Sequence, residues 1–94
     1  MHPSSNINLR HPLSQHALLR MQQRSIPQHV VAFLTELANP VDAGCGCTLH
    51  RFDEDSWAEA RRLLGGHAPR LDRYRNAYVV LAANGLVVTA SRLH

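Results

Sequence analysis

The C-terminal stretch constrains this chain most. AYVVLAA (77–83) and LVVTASRL (86–93) are two β-rich apolar runs joined by Asn84-Gly85. That pattern predicts a hairpin closed by a two-residue type I′ turn. The register sets Ala83 opposite Leu86, Leu81 opposite Val88 and Val79 opposite Ala90, so one face is apolar throughout and needs cover. The other face sets Ala82 opposite Val87, Val80 opposite Thr89 and Tyr78 opposite Ser91, and its outer end is polar. A lone hairpin is marginal in water, so the rest of the chain must supply the cover.

Three amphipathic segments can do so. Ser14 is an N-cap for a helix running to about Arg24, with Leu13, Ala17, Leu18 and Met21 as its apolar stripe and Leu19 at the edge. His16, Arg20 and Arg24 are spaced i, i+4, i+8 and make one polar ridge on that helix. Ser25-Ile26-Pro27 breaks the pattern, and a second helix begins near Pro27 with the stripe Val30, Val31, Leu34 and Leu37. Asn39-Pro40 ends it, and residues 41–46 read as a loop of small residues. CTLHRF (47–52) suits a strand. Asp53 or Asp55 caps a third helix, whose buried face is Trp57, Ala60, Leu63 and Leu64 and which Gly65-Gly66 stops. Arg61 and Arg62 lie on its solvent side, and residues 67–75 form a basic loop. The expected architecture is an α+β domain over residues 13–94, in the order α-α-β-α-β-β, with helices on one face of a small antiparallel sheet. Residues 1–12 are polar, contain Pro3 and Pro12, show no periodicity, and read as a flexible tail.

Size and composition narrow the class. A chain of 94 residues has room for one ordinary domain. Apolar residues make up 45%, enough for a small core. No run is long enough to span a bilayer, and the N-terminus has no apolar stretch of the secretory kind. The expectation is a small cytoplasmic globular protein.

All ten basic residues are arginine, against seven acidic ones. Arg61, Arg62, Arg70, Arg73 and Arg75 stand against Asp72 alone in residues 61–75. Such a stretch suits an RNA backbone or an acidic protein partner, because guanidinium binds phosphate and carboxylate with two parallel hydrogen bonds. Cys45 and Cys47 lie one residue apart and point to opposite faces if extended, so they read as free thiols. With His50 they make C-x-C-x-x-H, which lacks the second ligand pair of a structural zinc site, and no metal or cofactor is expected. His50 and His67 read as surface residues. No G-x-S-x-G elbow or phosphate-binding glycine loop is present.

Ser14 to Pro27 (S-x-H-A-x-x-R-M-Q-Q-R-x-I-P) resembles the opening helix pair of a family of small bacterial proteins catalogued as domain of unknown function 4258. Phe52 to Leu64, Leu71 to Val80 and Asn84 to Thr89 follow in the family's order, so the resemblance spans roughly residues 13–92. The family commonly has Gly where this chain has Ser25, and a His-Arg pair after the last strand's V-V-T where this chain has Ala90-Ser91-Arg92. The family is distantly similar to toxin nucleases of the RelE and barnase type, which cleave RNA on one face of a small sheet beside an N-terminal helix pair. The resemblance implies a ribonuclease-like toxin of a toxin–antitoxin or mobile-element system.

Cleavage of RNA by side chains needs a base for the 2′-OH, cations for the charge developing on phosphorus, and an acid for the leaving 5′ oxygen. His16 fits as base or acid because imidazole titrates near neutrality. Arg20 on the same ridge can hold the phosphate, with Arg24 beyond it. Tyr78, Thr89 and Arg92 complete the candidate set if the first helix packs beside the outer end of the hairpin. An alternative is a non-catalytic phage or mobile-element protein that blocks a nucleic-acid-binding complex through Arg24, Arg61, Arg62, Arg70, Arg73 and Arg75. The expected partners are RNA or an acidic protein such as an antitoxin, and an open sheet edge can also pair two copies into a homodimer.

Overall fold

A computed structural model describes residues 11–67, 69 and 72–93. The order is α1 (Gln15–Arg24), α2 (Gln28–Leu37), β1 (Asn39–Gly44), β2 (Cys47–Arg51), α3 (Glu54–Leu64), β3 (Ala77–Leu81) and β4 (Val87–Arg92). This is an α+β fold: the four strands form one antiparallel sheet in sequence order, and helices pack on it. The expected order of elements is present with one strand added. Asn39–Gly44, which falls mostly in the segment read as a loop, is β1. It has no apolar alternation and contains Pro40, and it is a strand because β2 offers it a pairing edge.

Local chemistry sets the helix ends. Ser14 Oγ accepts from the Ala17 amide at 3.0 Å and so caps α1. Beyond Arg24, Ser25 takes φ 53°, and the amides of Ser25 and Ile26 donate back to the Gln22 and Met21 carbonyls. That left-handed closure is the backbone state for which glycine is favoured, so Ser25 carries local strain. Asp53 caps α3 reciprocally: its carboxylate accepts from the Ser56 amide at 2.8 Å, and Ser56 Oγ accepts from the Asp53 amide at 2.9 Å. Asn39 Nδ2 donates to the same carboxylate at 2.8 Å, and together these bonds hold the Asp53 pKa down at about 2.

The core joins Val30, Val31 and Leu34 of α2 with Ala17 and Met21 of α1, Trp57 and Ala60 of α3, and Val79, Val87 and Ala90 of the sheet. Phe52 meets Trp57 edge to face at 5.2 Å. Leu18 and Leu63, expected in the buried stripes, are exposed. Each helix presents a narrower stripe to the core than its count of apolar residues allows. Ala17 and Met21 suffice for α1, and Trp57 with Ala60 for α3.

The C-terminal hairpin forms, with a correction at its tip. Tyr78 opposes Ser91, Val79 opposes Ala90 and Val80 opposes Thr89 as expected, but Leu81 pairs with Val87 across a bulge. Val87 therefore turns inward and is fully buried, while Val88 is half-exposed. The loop is a type I turn with Gly85 (φ 88°) at its left-handed end, in place of a two-residue type I′ turn. The Gly85 amide donates to the Ala82 carbonyl at 2.9 Å, and the Ala82 amide donates to the Leu86 carbonyl at 2.8 Å. Asn84 Oδ1 accepts from the Leu86 amide at 3.0 Å. Long-range bonds hold this arrangement: the Val87 amide donates to the Pro12 carbonyl at 2.8 Å and the Ser14 amide to the Val87 carbonyl at 2.9 Å. His11 Nδ1 lies 2.9 Å from the Gly85 carbonyl oxygen. His11 and Pro12, expected in the tail, are thus anchored to the start of β4, while residues 1–10 lie outside the described residues.

The GCGC segment is the true two-residue turn. Gly44 pairs with Cys47, and Cys45 and Gly46 both have positive φ (55° and 79°), as a type I′ turn requires.

Candidate functional site

Cross-strand register divides the sheet into two faces. Thr48, His50, Val79, Leu81 and Ala90 share the face under the helices. Leu49, Arg51, Tyr78, Val80, Thr89 and Ser91 share the other. The bulge falls between Val80 and Leu81, toward the turn, so the alternation that puts Tyr78, Thr89 and Ser91 together is undisturbed.

α1 runs against β4. Between them lies a hollow of about 390 Å³. His16, Arg20 and Arg24 line it from the helix, Tyr78 from β3, and Thr89, Ser91 and Arg92 from β4, with Leu93 at one wall. All five candidate catalytic residues and Arg24 thus share one cavity. The helical ridge does this by geometry, since residues four apart stack on one face, and Ser14 fixes that face relative to β4 by donating from Oγ to the Val88 carbonyl at 3.3 Å.

Three arginines and one histidine line the hollow, and none of its lining residues is acidic. The arrangement favours an anion, while Tyr78, Thr89 and Ser91 add hydroxyl groups that donate or accept. Arg92 is the most constrained of the cations. Its Nη2 donates to the Ser25 carbonyl at 3.3 Å, its guanidinium lies 5.3 Å from the Tyr74 ring centre, and its Nε is buried without a partner among the described residues. His16 is exposed and Arg20 half-buried, so an incoming ligand can reach both.

The basic stretch is dispersed. Arg62 pairs with Glu59 on α3. Arg73 stacks over Tyr74 at 5.5 Å, Arg75 over Trp57 at 5.2 Å, and Arg61 is exposed on α3. None of these lines the hollow. Arg70 lies outside the described residues.

His50 corrects an expectation: it is buried, 7% exposed, because strand alternation turns it under the helices beside Val79. Its Nε2 is 3.0 Å from Thr48 Oγ1, and its Nδ1 has no hydrogen-bond partner among the described residues. Burial and the neighbouring His11 push its pKa down, with the Leu34 carbonyl acting in the opposite sense. Cys45 and Cys47 are free thiols, exposed and half-buried at the turn. No cluster of three or more His, Cys, Asp or Glu suited to a metal occurs among the described residues.

Sequence reasoning missed one cation near the site. Arg51 sits directly opposite Tyr78, which sits opposite Ser91, so these three form one row across β2, β3 and β4. Only the pairing of β2 with β3, distant in sequence, brings Arg51 there.

The fold and the hollow define a small α+β domain with a cationic, hydroxyl-bearing cavity at the edge of its sheet. Comparison with protein-family models, curated proteins and solved structures finds no match to this chain. No helix among the described residues is long and apolar enough to cross a membrane.

Proposed function

We propose that this protein is a ribonuclease-like RNA-binding protein that cleaves its substrate by side-chain acid–base chemistry in the hollow between α1 and β4. One observation carries the reading: a histidine, three arginines and three hydroxyl-bearing residues line one cavity that has no acidic lining residue. The resemblance to domain of unknown function 4258, and through it to RelE- and barnase-type toxins, agrees with this chemistry and suggests a toxin–antitoxin or mobile-element setting.

In the proposed reaction His16 takes the proton of a ribose 2′-OH. The 2′ oxygen attacks phosphorus, and the bond from phosphorus to the 5′ oxygen breaks. Tyr78, whose phenol carries a transferable proton, protonates the leaving 5′ oxygen. Arg20 and Arg92 stabilise the charge building on the non-bridging oxygens, and the products are a 2′,3′-cyclic phosphate and a 5′-hydroxyl end. Thr89 donates to the phosphate, and Arg24 holds a flanking part of the strand. The alternative of a broad inhibitory surface is favoured less, since Arg62 is held by the Glu59 carboxylate and so is not free for a partner.

The test is cleavage of end-labelled RNA by purified wild type and His16→Ala. A fall of about 10²- to 10⁴-fold is expected for loss of a general acid or base, with unchanged Tm because His16 is exposed. A 2′-deoxy sugar at the cleaved position should abolish the reaction. Wild-type activity in His16→Ala, or no cleavage by wild type, overturns the reading. In cells, growth arrest on induced expression should be relieved by His16→Ala and by Arg20→Ala.

A further inference from the structure

Beside the first hollow lies a second of about 340 Å³, lined by Arg51, Arg75, Asn76, Glu54 and Leu93 among others. Leu93 also lines the first, so the two cavities share one lining residue. Arg51 lies in one cross-strand row with Tyr78 and Ser91 of the first hollow. Two strand spacings separate Arg51 from Ser91, roughly 10 Å. A single phosphate cannot reach from one to the other, but a longer strand can.

The polar groups of the second hollow differ from those of the first. Arg51 and Arg75 offer cationic donors, and the guanidinium of Arg75 lies 5.2 Å from the Trp57 ring centre. Asp53 also lines it as an ionised carboxylate that accepts from Asn39 and Ser56, so the anionic part of a ligand is confined to the side of Arg51 and Arg75. Glu54 and Asn76 remain to offer an acceptor and an amide. Donors for a phosphate together with acceptors for a base edge suit a nucleotide better than a bare anion.

We infer, on the RNA reading above, that the second hollow is a subsite for a neighbouring nucleotide of the same strand. The ligand is then a single-stranded RNA that crosses Leu93. Its reacting phosphate lies among His16, Arg20 and Arg92, and its next phosphate lies against Arg51 and Arg75. Arg51 belongs to the binding machinery and has no part in bond cleavage.

The test measures binding by fluorescence anisotropy, using oligonucleotides of two and six residues made uncleavable by 2′-fluoro substitution. Wild type should bind the hexamer about tenfold more tightly than the dimer, the gain expected of one additional charge-assisted contact. Arg51→Ala should remove most of that gain, weaken the hexamer far more than the dimer, and lower the slope of log affinity against log salt by about 0.7. Arg51→Lys should restore the slope but only part of the affinity, because it keeps charge and loses the planar fork. Arg51 is exposed, so these variants should keep the wild-type Tm. Equal affinity for the two lengths in wild type, equal loss for both lengths in Arg51→Ala, or no binding of the hexamer would overturn the inference. Length-dependent binding that needs Arg51, without any cleavage, would uphold the subsite and refute the nuclease. His16-dependent cleavage with no length dependence would do the reverse.

Discussion

The two hairpins of the sheet are built to different standards. In β3–β4 every second residue of β3 is buried, and Val79, Val87 and Ala90 are fully inside. β4 is also tied to the chain before α1 by backbone bonds at Pro12 and Ser14. In β1–β2 the outer strand is exposed along its whole length, Val41 at 55%, and only His50 of β2 is buried. The candidate catalytic residues sit on the better-supported hairpin and on the helix bonded to it. Chemistry that depends on the relative placement of an imidazole, several guanidinium groups and hydroxyls needs such support, because a loosely held site loses its geometry. Arg51, which only binds in the proposal above, sits on the looser hairpin.

Substitutions can break this contrast. Val79→Ala should cost about 2 kcal/mol, the transfer of two methyl groups plus the cavity they leave, measured by urea denaturation. Ser14→Ala removes both the α1 cap and the bond to the Val88 carbonyl. It should cost about 1 kcal/mol, and if the cap also orients α1 over β4, RNA cleavage should fall more than the loss of stability accounts for.

A pH titration probes the outer hairpin. The folded-state pKa of His50 is pushed below its ordinary value. The unfolded chain therefore takes up the proton first as pH falls, and stability is lost from about 6.5 downward until the folded-state value is reached. In His50→Gln that part of the acid-side loss should be absent, as seen in Tm measured between pH 8 and pH 5. The mildest change is Val41→Ala, expected within about 0.5 kcal/mol because the side chain is exposed. A cost near that of Val79→Ala would mean that β1 is covered in solution.

Local signals accounted for much of the fold. Ser14 caps α1 where its spacing predicted, Asp53 is the cap of the two candidates offered for α3, and the i, i+4, i+8 ridge of His16, Arg20 and Arg24 faces one cavity. The turns were harder, because similar dipeptides met different surroundings. Asn84-Gly85 favours a type I′ turn alone, yet bonds from His11 and Pro12 accompany a three-residue loop and a bulge. Cys45-Gly46 carries no strong turn preference, yet it adopts positive φ at both positions because β1 and β2 pair across it.

The order of every element but β1, the helix caps and the polar ridge of α1 were written in residues close together along the chain, where propensity and periodicity act. The inward turn of His50, the pairing that makes Asn39–Gly44 a strand, and the row joining Arg51 to Tyr78 and Ser91 were decided by contacts between distant segments. Such contacts depend on which strand edge and which apolar face remain free once the local elements exist, and no stretch of neighbouring residues contains that information.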